Sequence, residues 1–166
     1  DAVAHLLKND DFRRIVWGER GVKELILKVQ QGPPSPIVYK SIVCVWLLSF
    51  EGDILKEFEK FDAATKLQDV FQTSRVEKVI RVSLAALRNC LKNQSLASDI
   101  VEQGTLEALQ QLEDEKWHDA ERYDDIQDTC SQLGTRVSEL SNFDRYEKEL
   151  STGNPQWGFI HSEKFW

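Results

Sequence analysis

The sequence contains no methionine. Position 1 is therefore not expected to be a translation start, and the chain reads as a piece of a longer protein. Histidine occurs only at His5, His118 and His161, with no H-x-x-x-H pair and no second histidine at metal-ligand spacing, which argues against a zinc centre. The three cysteines, Cys44, Cys90 and Cys130, never fall at C-x-x-C spacing and sit inside apolar helical patterns. They are expected to be buried thiols of a reducing compartment. Long apolar runs are also missing: the longest, Ile42 to Leu48, has seven residues, against the roughly 20 that a spanning helix needs, so no segment is expected to cross a membrane. Positive charge is in deficit, with 21 Lys+Arg against 28 Asp+Glu, so a broad phosphate-binding surface and nucleic acid as a partner are disfavoured. There is no Gly-rich phosphate loop, no G-x-S-x-G elbow and no EF-hand spacing. His118, among Asp114, Glu115 and Asp119, reads as part of a solvated acidic loop. The expectation is a chain with no catalytic residue, no metal and no cofactor.

What is present is helical periodicity. Apolar residues make up 41% of the chain and recur at three- and four-residue spacing, whereas alternating runs joined by Asn-Gly or Asp-Gly are absent. Helices are expected over 22–30, 37–50, 54–61, 63–73, 76–92, 98–101, 106–112, 119–140 and 143–150. The run Gly32-Pro33-Pro34-Ser35-Pro36 cannot be helical, because prolines lack the donor and force their predecessors extended. It reads as a loop between helices. Thr152-Gly153-Asn154-Pro155 ends the last helix and leaves Trp157, Phe159, Phe165 and Trp166, rings that something must cover.

A repeat is visible in the same pattern. Val16, Phe58 and Ile100 lie 42 residues apart, as do Val22, Ala64 and Leu106, and Leu25, Leu67 and Leu109. Val70 and Leu112 continue the ladder, but its first rung is Lys28. Longer segments between these blocks also correspond, Val43 to Leu48 facing Val82 to Leu87 at an offset of 39. A unit of two or three helices with a period of about 40 to 47 residues is the armadillo and HEAT size class. Such units bury their apolar faces only by stacking on their neighbours. The expected fold is therefore all-α, an armadillo/HEAT-like array forming a right-handed α-solenoid. Ala85 and Ala86 permit close helix approach, and Gly104 fits a turn that needs a positive φ.

Charge divides the chain. Residues 1–112 hold 15 basic and 15 acidic side chains, residues 113–166 hold 6 and 13. About three repeats are expected over 1–112, an acidic segment and long terminal helices over 113–150, and an aromatic linker over 151–166. Seven carboxylates fall between Glu113 and Asp125. Ile126, Cys130, Leu133, Val137 and Leu140 then follow at 4, 3, 4, 3 spacing, a seam read as packing on the last repeat, with a partner coiled coil as the alternative.

One surface feature points to binding. At 100° per residue, Lys78, Arg81, Arg88 and Lys92 share an arc of about 80° on one helix, with Asn89 beside them and Glu77 as the only acid. A basic stripe in a net-acidic chain could clamp an acidic helix or an extended peptide; these five residues are the candidate partner site.

The blocks Cys44-Val45-Trp46-Leu47-Leu48-Ser49-Phe50, Val76-Glu77-Lys78-Val79-Ile80-Arg81-Val82 and Leu87-Arg88-Asn89 carry a resemblance. So do Asn142-Phe143-Asp144-Arg145-Tyr146-Glu147-Lys148-Glu149-Leu150, Trp157 and His161-Ser162-Glu163-Lys164-Phe165-Trp166. Together they resemble the H subunit of the vacuolar-type proton-translocating ATPase (V-ATPase). The resemblance implies the end of that family's N-terminal repeat domain and the linker toward a smaller C-terminal domain. It also implies a non-catalytic regulator on the cytosolic face of vacuolar and other endomembranes, attached only through its complex. Its partners would be the pump's peripheral-stalk and soluble-sector subunits, and its effect activation of ATP-driven proton transport. The alternative is a general armadillo adaptor with a peptide in its groove. Such receptors usually present tryptophan–asparagine ladders and acidic grooves, whereas here Trp46 is followed four residues later by Phe50 and the candidate groove is basic.

Overall fold

The computed structural model describes residues 2–16, 19–29, 36–113, 127–128, 130–135, 137–138, 146–147 and 149–153. Residues 32–35 of the proline run, the acidic run 114–125, Ile126, Leu140 and the aromatic tail 154–166 lie outside the described residues; Pro36, expected to be non-helical, instead opens a helix, where its missing N–H would have no intrahelical partner in any case. Among those described there is no strand, and nine helices follow one another: α1 Ala2–Leu6, α2 Asp10–Val16, α3 Glu19–Leu27, α4 Pro36–Leu48, α5 Gly52–Lys60, α6 Ala63–Thr73, α7 Glu77–Cys90, α8 Gln94–Glu102 and α9 Thr105–Glu113. Residues 127–128, 130–135 and 137–138 are helical as well.

The period of the sequence is the period of the backbone. Helices α2, α5 and α8 begin at residues 10, 52 and 94, and α6 and α9 begin at 63 and 105, so each step is again 42. Like packs on like: α5 on α8, α6 on α9, α4 on α7. The diagonal contacts α3 with α5 and α6 with α8 are one contact repeated a unit later. This is a stacked three-helix repeat, the all-α armadillo/HEAT-like fold. Of the matched positions whose side chains are described, Phe58, Ile100, Val22, Ala64, Leu67 and Leu109 are buried and Leu25 is half-buried. Lys28, which interrupts the ladder, is exposed. A single apolar cluster runs from Leu7 to Val137 and includes Cys130 and Leu133. Burying each of its larger side chains stabilises the array by roughly 1.5–3 kcal/mol.

The turns obey the same register. Asn9 and Asn93 each cap the helix that follows, their Oδ1 atoms accepting from Asp11 N (2.9 Å) and Leu96 N (3.1 Å), which satisfies one otherwise orphan donor. Glu51 stands midway between them in sequence and makes no side-chain cap. Its carboxylate instead accepts from Arg13 Nε (3.2 Å) and Arg14 Nε (3.4 Å). Asp62 and Gly104, also 42 apart, both open the second helix of a unit in the left-handed region, at φ 54° and 69°. The positive φ expected of Gly104 is observed. Buried Gln68 ties two units together, its Nε2 donating to Gln103 O (2.8 Å) while its Oε1 accepts from Thr105 Oγ1 (2.6 Å).

Three departures from the expected helices lie at α1, α2 and α8. α1 is a single short turn with no buried residue. α2 lacks an apolar stripe because Arg13 occupies the register held by Leu55 and Ala97 in the later units. The Arg13 guanidinium is buried, bonded to Asp10, Glu51 and the carbonyls of Leu7 and Lys8. α8 starts at Gln94 rather than 98 because Asn93 caps a polar first turn.

Candidate partner-binding site

α4 is apolar nearly all round, yet among the described residues its side chains are unequally covered. Ser41, Ile42, Cys44, Val45, Leu47 and Leu48 are buried. Tyr39, Val43 and Trp46 are half-buried and Phe50, just past the helix end, is exposed. These four recur at 4, 3, 4 spacing, so they form one stripe along the helix. α7 lies beside α4 with Val79, Ile80, Ser83, Leu84, Ala86 and Leu87 turned inward. Its outer side carries Lys78, Arg81, Val82, Ala85 and Arg88. An aromatic ladder therefore runs next to a basic one.

The two ladders touch at both ends. Lys78 Nζ lies 4.8 Å from the centroid of the Tyr39 ring, and Lys92 Nζ lies 5.8 Å from that of Phe50. Arg13 Cζ reaches Phe50 as well, at 5.9 Å. Trp46 meets Phe50 edge to face, with centroids 5.7 Å apart and planes at 66°. Such cation–ring contacts contribute about 0.5–1 kcal/mol at exposed sites and hold the charge in place. Between them opens a cleft of about 400 Å³, lined by Tyr39, Trp46, Lys78, Arg81, Val82, Ala85 and Asp128.

The five residues of the sequence-derived stripe are placed unequally. Lys78 and Arg81 line the cleft. Arg88 is exposed about two turns further on, its Nη1 donating to Gln132 Oε1 (3.2 Å), while Gln132 Nε2 donates to Asp128 Oδ2 (3.0 Å). Lys92 sits beyond the end of α7, against Phe50. Asn89 is only 5% exposed. Its Nδ2 donates to Ser49 Oγ (2.9 Å), and that hydroxyl donates to Trp46 O (2.6 Å), so the amide joins α7 to the end of α4 beneath the surface. Tyr39, Trp46 and Phe50 are the part of the site that the stripe alone did not include; the 4, 3, 4 spacing of apolar side chains on α4 is the signal that carries them.

The arrangement can hold a partner by charge and apolar contact. Among the described residues no group of histidines, cysteines and carboxylates could hold a metal ion, and no helix is long and apolar enough to cross a membrane. Cys44, Cys90 and Cys130 are buried. Burial pushes the Cys90 thiol up to about 12 and raises that of Cys44, which leaves neither as a nucleophile.

A family model described as the H subunit of the V-ATPase matches residues 1–133, a span that holds every helix from α1 to α9 and the cleft. The chain belongs to this family. It is 30% identical over 169 residues to a probable V-type proton ATPase H subunit, form 2, of Caenorhabditis elegans, covering 97% of this chain and 36% of that protein. It is 29% identical over 171 residues to the V-type proton ATPase H subunit of Dictyostelium discoideum (99% and 38%). With that of Drosophila melanogaster it shares 30% over 169 residues (97% and 36%). The chain thus spans little more than a third of the length of these relatives. The resemblance read from the residue blocks is borne out, and with it the helical-repeat fold.

Proposed function

We propose that the chain works as a non-catalytic regulatory part of a V-type proton-pumping ATPase. It grips other subunits of the pump, those of the peripheral stalk and the soluble ATPase sector, and so helps to activate and couple ATP-driven proton transport. It acts by holding parts in place, on the cytosolic face of vacuolar and other endomembranes, and meets the membrane only through its complex. The observation that carries this reading is the cleft between α4 and α7, where Lys78 and Arg81 stand beside Tyr39 and Trp46 within the span matched by the family model. Opposite charges across an interface steer encounter and fix register, and they weaken with salt.

The test is a pull-down of the purified peripheral-stalk pair with this chain at low and high salt. Retention at low salt that falls as salt rises is the expected result. A stalk pair that fails to bind at either salt concentration contradicts the proposal.

A further inference from the structure

The shape of the cleft bears on what kind of segment it receives. An extended peptide arrives with unpaired backbone donors and acceptors along its whole length, and each buried one needs a partner. Grooves that bind extended chains supply such partners from a free strand edge, or receive a proline-rich segment whose backbone stays solvated. Here the α7 amide at the matching place, Asn89, is buried and bonded to Ser49, and the corresponding position after α4 is Phe50. The cleft itself is lined by two rings, two cations, Val82, Ala85 and one carboxylate, none of them an amide. A helix has no such need, because its backbone is paired internally. What it needs is an apolar floor and counter-charges on its flank, and Trp46, Val82 and Ala85 form the one while Lys78 and Arg81 form the other. The small side chain of Ala85 leaves room for close approach. The chain supplies an example of its own: Asp128, a helical residue, lines this same cleft.

Building on the reading of the cleft as a partner site, we propose that its occupant is an amphipathic α-helix of a partner polypeptide. The helix lays an apolar stripe on Trp46 and Val82 and sets aspartate or glutamate side chains against Lys78 and Arg81. An extended peptide, whose backbone would meet no row of amides in the cleft, is expected to bind more weakly.

The experiment is fluorescence anisotropy with three labelled 18-residue peptides of matched length, titrated with the full chain. The first is a lactam-bridged helix with glutamates flanking a leucine stripe. The second has the same composition interrupted by two prolines, so that it can bind only extended, and the third is the bridged helix with lysine in place of glutamate. The helical acidic peptide is expected to bind at least about tenfold more tightly than either of the others, and Lys78→Glu to weaken it about tenfold. Lys78 is exposed, so this variant is expected to keep its helical circular dichroism. Equal binding of the proline peptide, an unaltered affinity in Lys78→Glu, or no binding by any peptide overturns the proposal. Failure of the stalk pair to bind while the acidic helix binds would count against the pump reading alone. Binding of the stalk pair while the proline peptide matches the helix would count against this inference alone.

Discussion

Two glycine-to-alanine substitutions, chemically identical, are expected to move stability in opposite directions. Gly104 opens the last described unit turn at φ +69°. An alanine there must adopt the left-handed region, which costs roughly 1–2 kcal/mol. The added Cβ would meet only the Oε2 of Glu107 at 3.3 Å, and Glu107 is exposed, so its flexible end can yield and the backbone term dominates. Against it stands the reduced freedom of the unfolded chain, about 0.4–1 kcal/mol in favour of alanine. The net expectation is a loss on the order of 1 kcal/mol. Gly52 is the first residue of α5, without a positive φ, and an added Cβ finds nothing within 4 Å. Gly52→Ala therefore gains the same 0.4–1 kcal/mol, as an estimate of about that size, with no strain to offset it. Because the unfolded-chain gain is common to both, the two variants should separate by the left-handed cost, about 1–2 kcal/mol, in urea denaturation followed by far-UV circular dichroism, or by several degrees in Tm at about 2–4 °C per kcal/mol. A Gly104→Ala variant as stable as the parent would refute the reasoning, since the turn would not then be held left-handed.

Three further outcomes follow from the same contacts. Asn89→Ala removes the buried donor to Ser49 Oγ and is expected to cost about 1–2 kcal/mol in urea denaturation, although the side chain contributes almost nothing to the surface. Asp99 has its carboxyl held above the usual range by burial and then by Glu59, Glu102 and Asp62. The folded chain keeps that proton to higher pH than the unfolded chain, so stability falls as pH rises through the raised value. Asp99→Asn should thus raise Tm at pH 7, with no gain below the ordinary aspartate range. The buried thiols of Cys44, Cys90 and Cys130 should resist a disulfide-exchange reagent at neutral pH in the folded chain and all react in denaturant; rapid labelling of Cys90 under native conditions would contradict its burial.

The fold was legible wherever apolar side chains carried the repeat, as at Phe58, Ile100, Leu67 and Leu109. It was illegible where polar groups did the same work. Arg13 fills a core position by pairing with Asp10 and Glu51 and with two carbonyls, so a search for apolar periodicity passes over α2. Asn93 lies outside the apolar period and is an N-cap in the structure. The basic stripe was visible from helical angles alone, because Lys78, Arg81 and Arg88 lie on one side of α7. Angles cannot say which neighbour covers which residue. Asn89 belongs to the same arc, yet Ser49 at the end of α4 lies over it, and the ring ladder of Tyr39, Trp46 and Phe50 joins the stripe only through the stacking of α4 on α7.

The central claim is that the cleft between α4 and α7 grips other subunits of the pump through charge. The direct measurement is calorimetric titration of the purified stalk pair into the chain and into its Lys78→Glu/Arg81→Glu variant, with thermal melts of both alongside. Charge-mediated gripping predicts an affinity lower by at least about tenfold in the reversed chain, with its melting transition still cooperative. Equal affinity in the two chains would contradict it.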